Sequence, residues 1–243
     1  MQVWVSQLHA WAPGLSTGAD WQGFCADELP LGDDKPAAGG VPAMTRRRLT
    51  RWGRQAMEVA EPLAPALTEQ TPVIFSSRHG DTARTFKLLR DLASGEPLSP
   101  NAFSLSVHNS ALGLFTILKD IHTPSLALAA GSDTLAAAWQ EACSWLATGR
   151  EQVLLVHTDE PLADFYQPYR DELDMPAAVG ILLHRAPTAG ADAVELTMAQ
   201  AQGPRSRHSM MINFLAGWFG HKARFTHASA SHQWCWARVA AHG

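Results

Sequence analysis

Apolar positions recur along the chain with a period of two in some segments and of about 3.6 in others. The first pattern, or a short continuous apolar run, predicts strands, and the second predicts amphipathic helices. The predicted strands are residues 2–12, 72–76, 125–130, 152–157, 177–184, 194–199, 224–227 and 233–239. The predicted helices are residues 45–67, 82–93, 109–119, 133–147 and 210–219. Strands and helices alternate through much of the chain, which predicts an α/β fold.

This alternation favours a mainly parallel central sheet with helices on both faces. The strands at 177–184 and 194–199 flank a Pro/Gly turn region, so we expect them to form an antiparallel hairpin. Residues 13–42 are rich in Gly, Pro and Asp and predict a loop. With 243 residues, of which 46% are hydrophobic, the chain is expected to form a single domain over residues 1–243.

Three local expectations concern caps and buried faces. Thr45 is the expected N-cap of the helix at 45–67. In the helix at 82–93, the side chains of Phe86, Leu89 and Ala93 are expected to face inward. The C-terminal tail carries large apolar side chains that suit either an exposed partner surface or an ordinary core. These tail residues are Met210, Met211, Phe214, Trp218, Trp234 and Trp236.

Charge and cysteine usage narrow the functional classes. The formal net charge is -4, which argues against a nucleic-acid-binding protein because such a protein presents a clustered basic face. Cys25, Cys143 and Cys235 are far apart and match no disulfide or metal-ligand spacing. The N-terminus has no signal-peptide pattern, and no apolar run is long enough to span a membrane. We therefore expect a cytoplasmic protein with no metal, no cofactor and no membrane span.

A strand-to-helix turn centres on Ser132, between the strand at 125–130 and the helix at 133–147. A nucleophile placed there lies near unpaired N–H groups at the positive end of the helix, which would lower the pKa of a thiol. A serine gains little from this position, because its hydroxyl needs an adjacent general base. Ser132 or Asp133 is also a suitable helix cap.

The segment from Pro100 to Glu160 resembles the nucleophile-bearing core of β-ketoacyl synthases. In that family a helix opens with Asn, continues through Gly to Ile, and leads past a Pro into a buried strand. The matching positions here are Asn109, Gly113, Ile117 and Pro124. Counting forward from Pro124 and backward from Gly149 gives Ser132 at the position of the family's nucleophilic cysteine. Residues 104–109 are similar to small β-ketoacyl synthase-like N-terminal domain proteins of aryl polyene and related polyketide genes.

The resemblance implies a shortened, thiolase-like half-fold with no catalytic residue of its own. In the family, two catalytic histidines come from the C-terminal half, and this chain is too short to contain that half. The resemblance therefore implies a chain length factor, which heterodimerises with an active ketosynthase subunit in aryl polyene, polyketide or fatty-acid-like biosynthesis. Contact with an acyl carrier protein is then indirect. The implied acyl-tunnel or dimer-interface residues are His108, Asn109, Leu112, Phe115 and Ser132.

Some of these positions also have ordinary structural interpretations. Leu112 and Phe115 lie three residues apart on one helix face, and this spacing favours a place in the hydrophobic core. His108 fits an interior histidine that is held by a hydrogen bond.

A second motif, Arg78-His79-Gly80, resembles the signature of histidine phosphatases, in which the histidine accepts the phosphate. That chemistry needs a second histidine and several arginines that converge on the phosphate. The family normally places this motif at the end of its first strand, whereas here a strand, a long loop and a helix precede it. The structural alternative is that Arg78 and His79 lie at a strand end and that Asp81 or Thr82 caps the next helix.

A third hypothesis is an acyl hydrolase or acyltransferase that uses Ser132. The string Ala130-Gly131-Ser132-Asp133-Thr134 lacks the second glycine of the G-x-S-x-G turn. Residues 157–160, with one histidine and two carboxylates, are candidates for the missing base, and their alternative is a solvated loop.

Overall fold

The computed structural model describes residues 1–30 and 32–239. The strands are β1 (Gln2–Trp11), β2 (Val73–Ser76), β3 (Ser125–Leu128), β4 (Gln152–Asp159), β5 (Ala177–His184), β6 (Asp192–Gln200), β7 (Arg224–Ala228) and β8 (His232–Arg238). The helices are α1 (Gly18–Gln22), α2 (Ala43–Arg46), α3 (Arg51–Ala60), α4 (Thr82–Ala93), α5 (Pro100–Ser104), α6 (Ser110–Leu118), α7 (Thr134–Ala147) and α8 (Met210–Phe219). Short 3₁₀ segments occupy Glu61–Ala66, Gly131–Asp133 and Asp164–Tyr169.

The eight described strands form one sheet in the order β3-β2-β4-β5-β1-β6-β8-β7. The α/β class with helices on both faces is confirmed. The prediction of a mainly parallel sheet is wrong, because only β2 pairs in parallel with its neighbours β3 and β4. The five other pairs are antiparallel. Antiparallel neighbours need no helical crossover, and β5 to β8 are added largely without one.

The predicted hairpin between β5 and β6 is also wrong, because β1 lies between them. Trp4 of β1 is opposite His184 of β5 on one side and Ala193 of β6 on the other. The C-terminal antiparallel hairpin is formed instead by β7 and β8. The local turn signal at Pro187 and Gly190 identified the chain reversal but carried no information about a strand inserted from the N-terminus.

Helices cover both faces of the sheet. On one face α3 and α6 pack against β2, β4 and β5 through Trp52, Met57 and Phe115. The approach of α3 is so close that a Cβ on Gly180 of β5 would collide with the carbonyl oxygen of Val59. On the other face α7 and α8 pack against the sheet.

The helix predicted at 45–67 is divided into α2, α3 and a 3₁₀ turn. Thr50, not Thr45, is the N-cap of α3, and its Oγ1 accepts a hydrogen bond from Gly53 N at 3.4 Å. Pro62 and Pro65 lie in the 3₁₀ segment, where proline cannot donate the helical hydrogen bond. The predicted apolar face survives, since α3 buries Trp52 and Met57.

Helix α4 projects from the body of the protein, and of its residues only Leu88 is buried. The expectation that Phe86, Leu89 and Ala93 face inward is therefore wrong: Phe86 is half-buried, and Leu89 and Ala93 are exposed. Phe86 instead stacks on Phe165 of a neighbouring loop, with ring centroids 5.2 Å apart. A helical period shows which residues share a face but not whether another element covers that face.

The apolar tail is core. Phe214 of α8 lies at the centre of an aromatic cluster, with ring centroids 5.9 Å from Trp139, 5.9 Å from Trp218, 5.6 Å from Phe225 and 5.5 Å from Trp236. The six tail residues named from the sequence are all buried within the chain. They are therefore not an exposed partner surface, and they attach α7 and α8 to the sheet.

Candidate functional site

A sharp turn carries Ser132 between β3 and α7. Gly131 has a φ of +59°, in the left-handed region that favours glycine. Oγ1 of Thr134 accepts a hydrogen bond from Ala130 N at 2.9 Å and donates one to Gly131 O at 2.6 Å. These two bonds close the turn and place Ser132, half-buried, at its tip.

Asp133, one of the two predicted caps, is the N-cap residue of α7, but its side chain makes no capping hydrogen bond. Asp133 is instead directed to β8: its carboxylate accepts bonds from Nδ1 of His232 and Nε1 of Trp234, both at 2.9 Å. Burial alone would raise the pKa of Asp133, but the hydrogen bonds from Ser229, His232 and Trp234 outweigh burial and lower it. Asp133 thus fastens the turn to the C-terminal hairpin.

The space beside Ser132 is small. It is a cavity of about 20 Å³, which holds about one water molecule. Its polar lining comes from the ends of β2 and β4, the segment before β5 and the start of α8: Arg78, His157, Asp159, Glu172, Asp174 and Ser209. In this conformation the space has no room for an acyl group.

His157 lies in this lining with both ring nitrogens engaged. Nδ1 is 2.9 Å from Oγ of Ser76, and Nε2 is 3.3 Å from Oδ2 of Asp159. Oγ of Ser76 also lies 3.2 Å from the carbonyl oxygen of Val156. Burial lowers the pKa of His157 and keeps the ring neutral. Residues 157–159 are therefore a buried strand end, not the solvated loop considered above.

Asp159 organises the loop that carries the Arg78-His79-Gly80 motif. Its Oδ1 accepts a hydrogen bond from Oγ of Ser77 at 2.7 Å, and its carboxylate also accepts from the backbone N–H groups of Arg78 and His79. The loop thus presents its amides to an internal carboxylate.

The Arg78 guanidinium is committed to acidic side chains. It donates to Oδ2 of Asp171 at 2.9 Å and to Oε2 of Glu172 at 3.0 Å. Both carboxylates lie with Arg78 and His79 around a surface pocket of about 240 Å³. An anionic phosphate next to His79 would meet this acidic surface, which is the opposite of what phosphoryl transfer requires.

Sequence reasoning missed the half-buried acids between the 3₁₀ segment and β5. Burial raises the pKa of Glu172 to about 7, despite its contact with Arg78. Burial, and secondarily the charge of Asp159, raises the pKa of Asp174 to about 7. Burial also lowers the pKa of His227 to about 4. Residues 171–174 read as a solvated acidic stretch, so no local signal distinguishes them.

The predicted tunnel or interface residues divide into two groups around α6. Leu112 and Phe115 are buried, and the ring of Phe115 lies 5.5 Å from that of Phe75, so these two side chains belong to the core. Nε2 of His108 lies 2.8 Å from the carbonyl oxygen of Ser77. Asn109, at the start of α6, is exposed.

An open surface lies beside the turn. Strand β3 is at the edge of the sheet, and the hydrogen bonds from Val73 N to Pro124 O and from Ser77 N to Leu128 O mark the side that faces β2. Because backbone groups alternate along a strand, those of Ser125 and Ala127 point to the open edge.

Helix α6 contributes the neighbouring part of this surface. Asn109, Gly113 and Ile117 are spaced by four residues and therefore form one stripe of the helix. Ile117 is 79% exposed. We call the open edge of β3 and this stripe the β3–α6 face.

Two further findings concern the described part of the chain. Across residues 1–30 and 32–239, no group of three or more His, Cys, Asp or Glu side chains is placed to hold a metal ion. Within the same residues, no helix combines the length and apolar character that a membrane crossing needs.

A family model described as "Beta-ketoacyl synthase, N-terminal domain" matches residues 20–237. Among solved structures, one chain of the complex between the ketosynthase ApeO and its chain length factor ApeC, from Xenorhabdus doucetiae, is 28% identical, with a TM-score of 0.83. That match covers 98% of this chain and 100% of the other. No curated protein matches this chain.

More distant structures share the fold. The ishigamide ketosynthase/chain length factor has a TM-score of 0.66 at 14% identity, over 82% of this chain and 68% of the other. A β-ketoacyl synthase from Burkholderia phymatum has a TM-score of 0.62 at 13% identity, over 91% and 71%.

Proposed function

Because the chain belongs to the β-ketoacyl synthase N-terminal domain family, we propose that it is a non-catalytic subunit that pairs with an active ketosynthase as its chain length factor. The pathway is aryl polyene, polyketide or fatty-acid-like biosynthesis. Condensation takes place on the partner's cysteine, and this chain, acting as one domain, helps to shape the tunnel that holds the growing acyl group. Contact with the acyl carrier protein is indirect.

The observation that carries this proposal is the state of the turn at Ser132. A nucleophilic serine needs a base with a free lone pair and space for the acyl group. His157 lines the cavity beside Ser132, and its ring nitrogens face Ser76 and Asp159. The adjoining cavity of about 20 Å³ has room for a water molecule but not for a substrate. Both features favour a subunit without its own acyl transfer.

The β3–α6 face supports the pairing. An edge strand with free backbone groups accepts a strand from another chain. Elsewhere on the surface, α4 and α5 also carry exposed apolar side chains, including Leu92 and Phe103, which are 61% and 64% exposed. Such a combination of an open edge and apolar side chains is typical of an obligate protein interface.

Within this proposal the predicted residues have different roles. Asn109 and Ile117 contact the ketosynthase from the exposed side of α6. Leu112, Phe115 and His108 fix the position of α6 on the sheet from its buried side, and so act on the tunnel indirectly. Ser132 occupies the nucleophile position without reacting.

Similarity to a known complex supports the choice of partner. The structure that matches at 28% identity is a ketosynthase in complex with a chain length factor, and the match spans nearly all of both chains. The phosphatase alternative has no comparable support, since Arg78 is held by Asp171 and Glu172.

Co-expression with a candidate ketosynthase from the same genome tests the proposal. The two chains should elute together in size-exclusion chromatography, and mass determination should give one copy of each. Elution of this chain alone, at all tested ratios, would contradict the pairing.

A further inference from the structure

The segment at residues 171–175 lies across the cavity beside Ser132 and is fastened there by backbone hydrogen bonds. The N–H of Leu173 donates to the carbonyl oxygen of Arg207 at 2.8 Å. The N–H of Ser209 donates to the carbonyl oxygen of Leu173, also at 2.8 Å. These bonds join the segment to the residues just before α8. Residues 171–175 themselves form no helix and no extended strand.

Two acidic side chains of this segment point inward. Asp174 is half-buried, and its Oδ1 accepts from Oγ of Ser209 and from Met175 N, both at 2.9 Å. Within the described residues no cation pairs with Asp174. Glu172 contacts Arg78 through one oxygen, and its other oxygen lies 4.0 Å from Nε2 of His227.

His227 is the second observation that makes this cluster unusual. Its side chain is fully buried, and among the described residues its Nε2 has no hydrogen-bond partner. A buried donor without a partner costs free energy, which a rearrangement that brings Glu172 or a water molecule to that nitrogen would recover.

The charged and titratable groups around the two acids come from several elements. They are Arg78 after β2, His157 and Asp159 on β4, Asp171 in the segment itself, Arg205 before α8 and His227 on β7. Of these, Arg78 and Arg205 favour ionised carboxylates, whereas Asp159 and Asp171 oppose them. Burial dominates for both acids and raises the pKa of each to about 7.

We propose that residues 171–175 form a proton-dependent latch, closed over the cavity beside Ser132 while Glu172 and Asp174 carry their protons and loosened when these side chains ionise. Two ionised carboxylates beside Asp159 repel one another and require water, which they reach only if the segment lifts. The closed state binds these protons more tightly than an open, hydrated state does. Closure is therefore strongest at acidic pH, weakens as the pH rises to about 7, and is constant above that.

Hydrogen exchange of the full chain tests the latch directly, and it does so without a ketosynthase. The reporters are the amides of Leu173 and Ser209, whose exchange rates are corrected for intrinsic base catalysis. Between about pH 5 and about pH 8 their protection should fall by about tenfold or more, since each proton contributes up to about tenfold per pH unit. The amide of Leu155 in the core of β4 should show no comparable fall.

Variants separate the latch from a general pH effect. Asp174→Asn keeps an acceptor for Ser209 and cannot ionise, so its protection should vary much less with pH. Asp164→Asn removes a fully exposed carboxylate from the neighbouring loop and should behave like the wild type. An Asp174→Asn protein with the wild-type fall in protection would overturn the proposal.

A second measurement on the wild-type chain covers the case in which Asp174→Asn does not fold. Carbon-13 NMR of the side-chain carboxyls should detect groups that titrate near pH 7. If every carboxyl titrates below about pH 5, the latch is excluded. Neither experiment depends on pairing, so the latch and the proposed function stand or fall separately.

Discussion

Nε2 of His157 lies 3.3 Å from Oδ2 of Asp159, and its other ring nitrogen lies 2.9 Å from Oγ of Ser76. In a catalytic triad one histidine nitrogen faces the carboxylate and the other is free to take the nucleophile's proton. Here the second nitrogen is engaged by Ser76. Ser76, His157 and Asp159 thus lie in the order of a triad, but the hydroxyl beside the histidine is that of Ser76, which is only 1% exposed, and not that of Ser132.

Ser132→Ala should consequently have almost no effect on stability, pairing or condensation. The lost hydroxyl has no base, so we expect the free energy of unfolding to change by less than about 0.5 kcal/mol. Complex formation with the ketosynthase and the rate of condensation should also be unchanged. Thioester hydrolysis by the wild-type chain that disappears in Ser132→Ala would contradict this account.

Ile117→Glu tests the β3–α6 face. Ile117 is 79% exposed, so the change should not affect folding, but a charge buried in the interface without a partner should abolish the heterodimer. Met44→Glu is the matched control, because Met44 is 71% exposed on α2, away from this face. Size-exclusion chromatography of both co-expressed variants gives the result. If both variants lose the heterodimer equally, or if neither loses it, the β3–α6 face is not the interface.

Phe214→Ala tests whether the tail is core. Phe214 is fully buried among four aromatic rings, so its truncation should lower the free energy of unfolding by about 3–5 kcal/mol. Urea denaturation followed by tryptophan fluorescence measures this loss. If Phe214→Ala keeps the wild-type stability but no longer forms the heterodimer, the tail is a partner surface and not core.

His227→Gln tests the acid sensitivity of the fold. Burial lowers the pKa of His227 from 6.5 to about 4, so the unfolded chain binds this proton more readily than the folded chain. Stability from this residue is present above about pH 6.5 and is lost as the pH falls toward 4, by at most about 3 kcal/mol. Compared with His227→Gln, the wild type should lose more stability between about pH 7 and about pH 4.5.

The control for this prediction is His122→Gln, because the His122 side chain is 85% exposed. That variant should follow the wild type. The comparison must be made between variants, since Glu172 and Asp174 act with the opposite sign over part of the same range. Identical pH profiles for wild type and His227→Gln would show that His227 is not buried in its neutral form.

The sequence predicted those features that depend on local patterns. Apolar periodicity and a glycine predicted a strand before Ser132, a tight turn at it and a helix after it. The structure contains all three elements. Counting from Pro124 and from Gly149 gave Ser132 as the residue in the turn, and its match to the family's nucleophile position stays a prediction. The buried face of α3 followed from its helical spacing in the same way.

Features that depend on distant parts of the chain could not be predicted. The insertion of β1 between β5 and β6 joins residues about 180 positions apart, as in the pair of Trp4 and His184, and no local turn signal encodes it. The exposure of α4 reflects the absence of a covering element among the described residues, not a property of its own pattern. The acids at 172 and 174 are half-buried beside Arg78, Asp159 and Ser209, which lie far from them in sequence or on another element.

The central claim, a non-catalytic subunit that a ketosynthase needs, is tested most directly by condensation on a carrier-bound substrate. The ketosynthase is assayed alone, with the wild-type chain, and with Ala127→Pro, which removes one outward N–H from β3; Ala127→Ser, which keeps that N–H, is the control. The account predicts condensation with the wild-type chain and with Ala127→Ser, and little or none in the other two reactions. Equal condensation by the ketosynthase alone would contradict it.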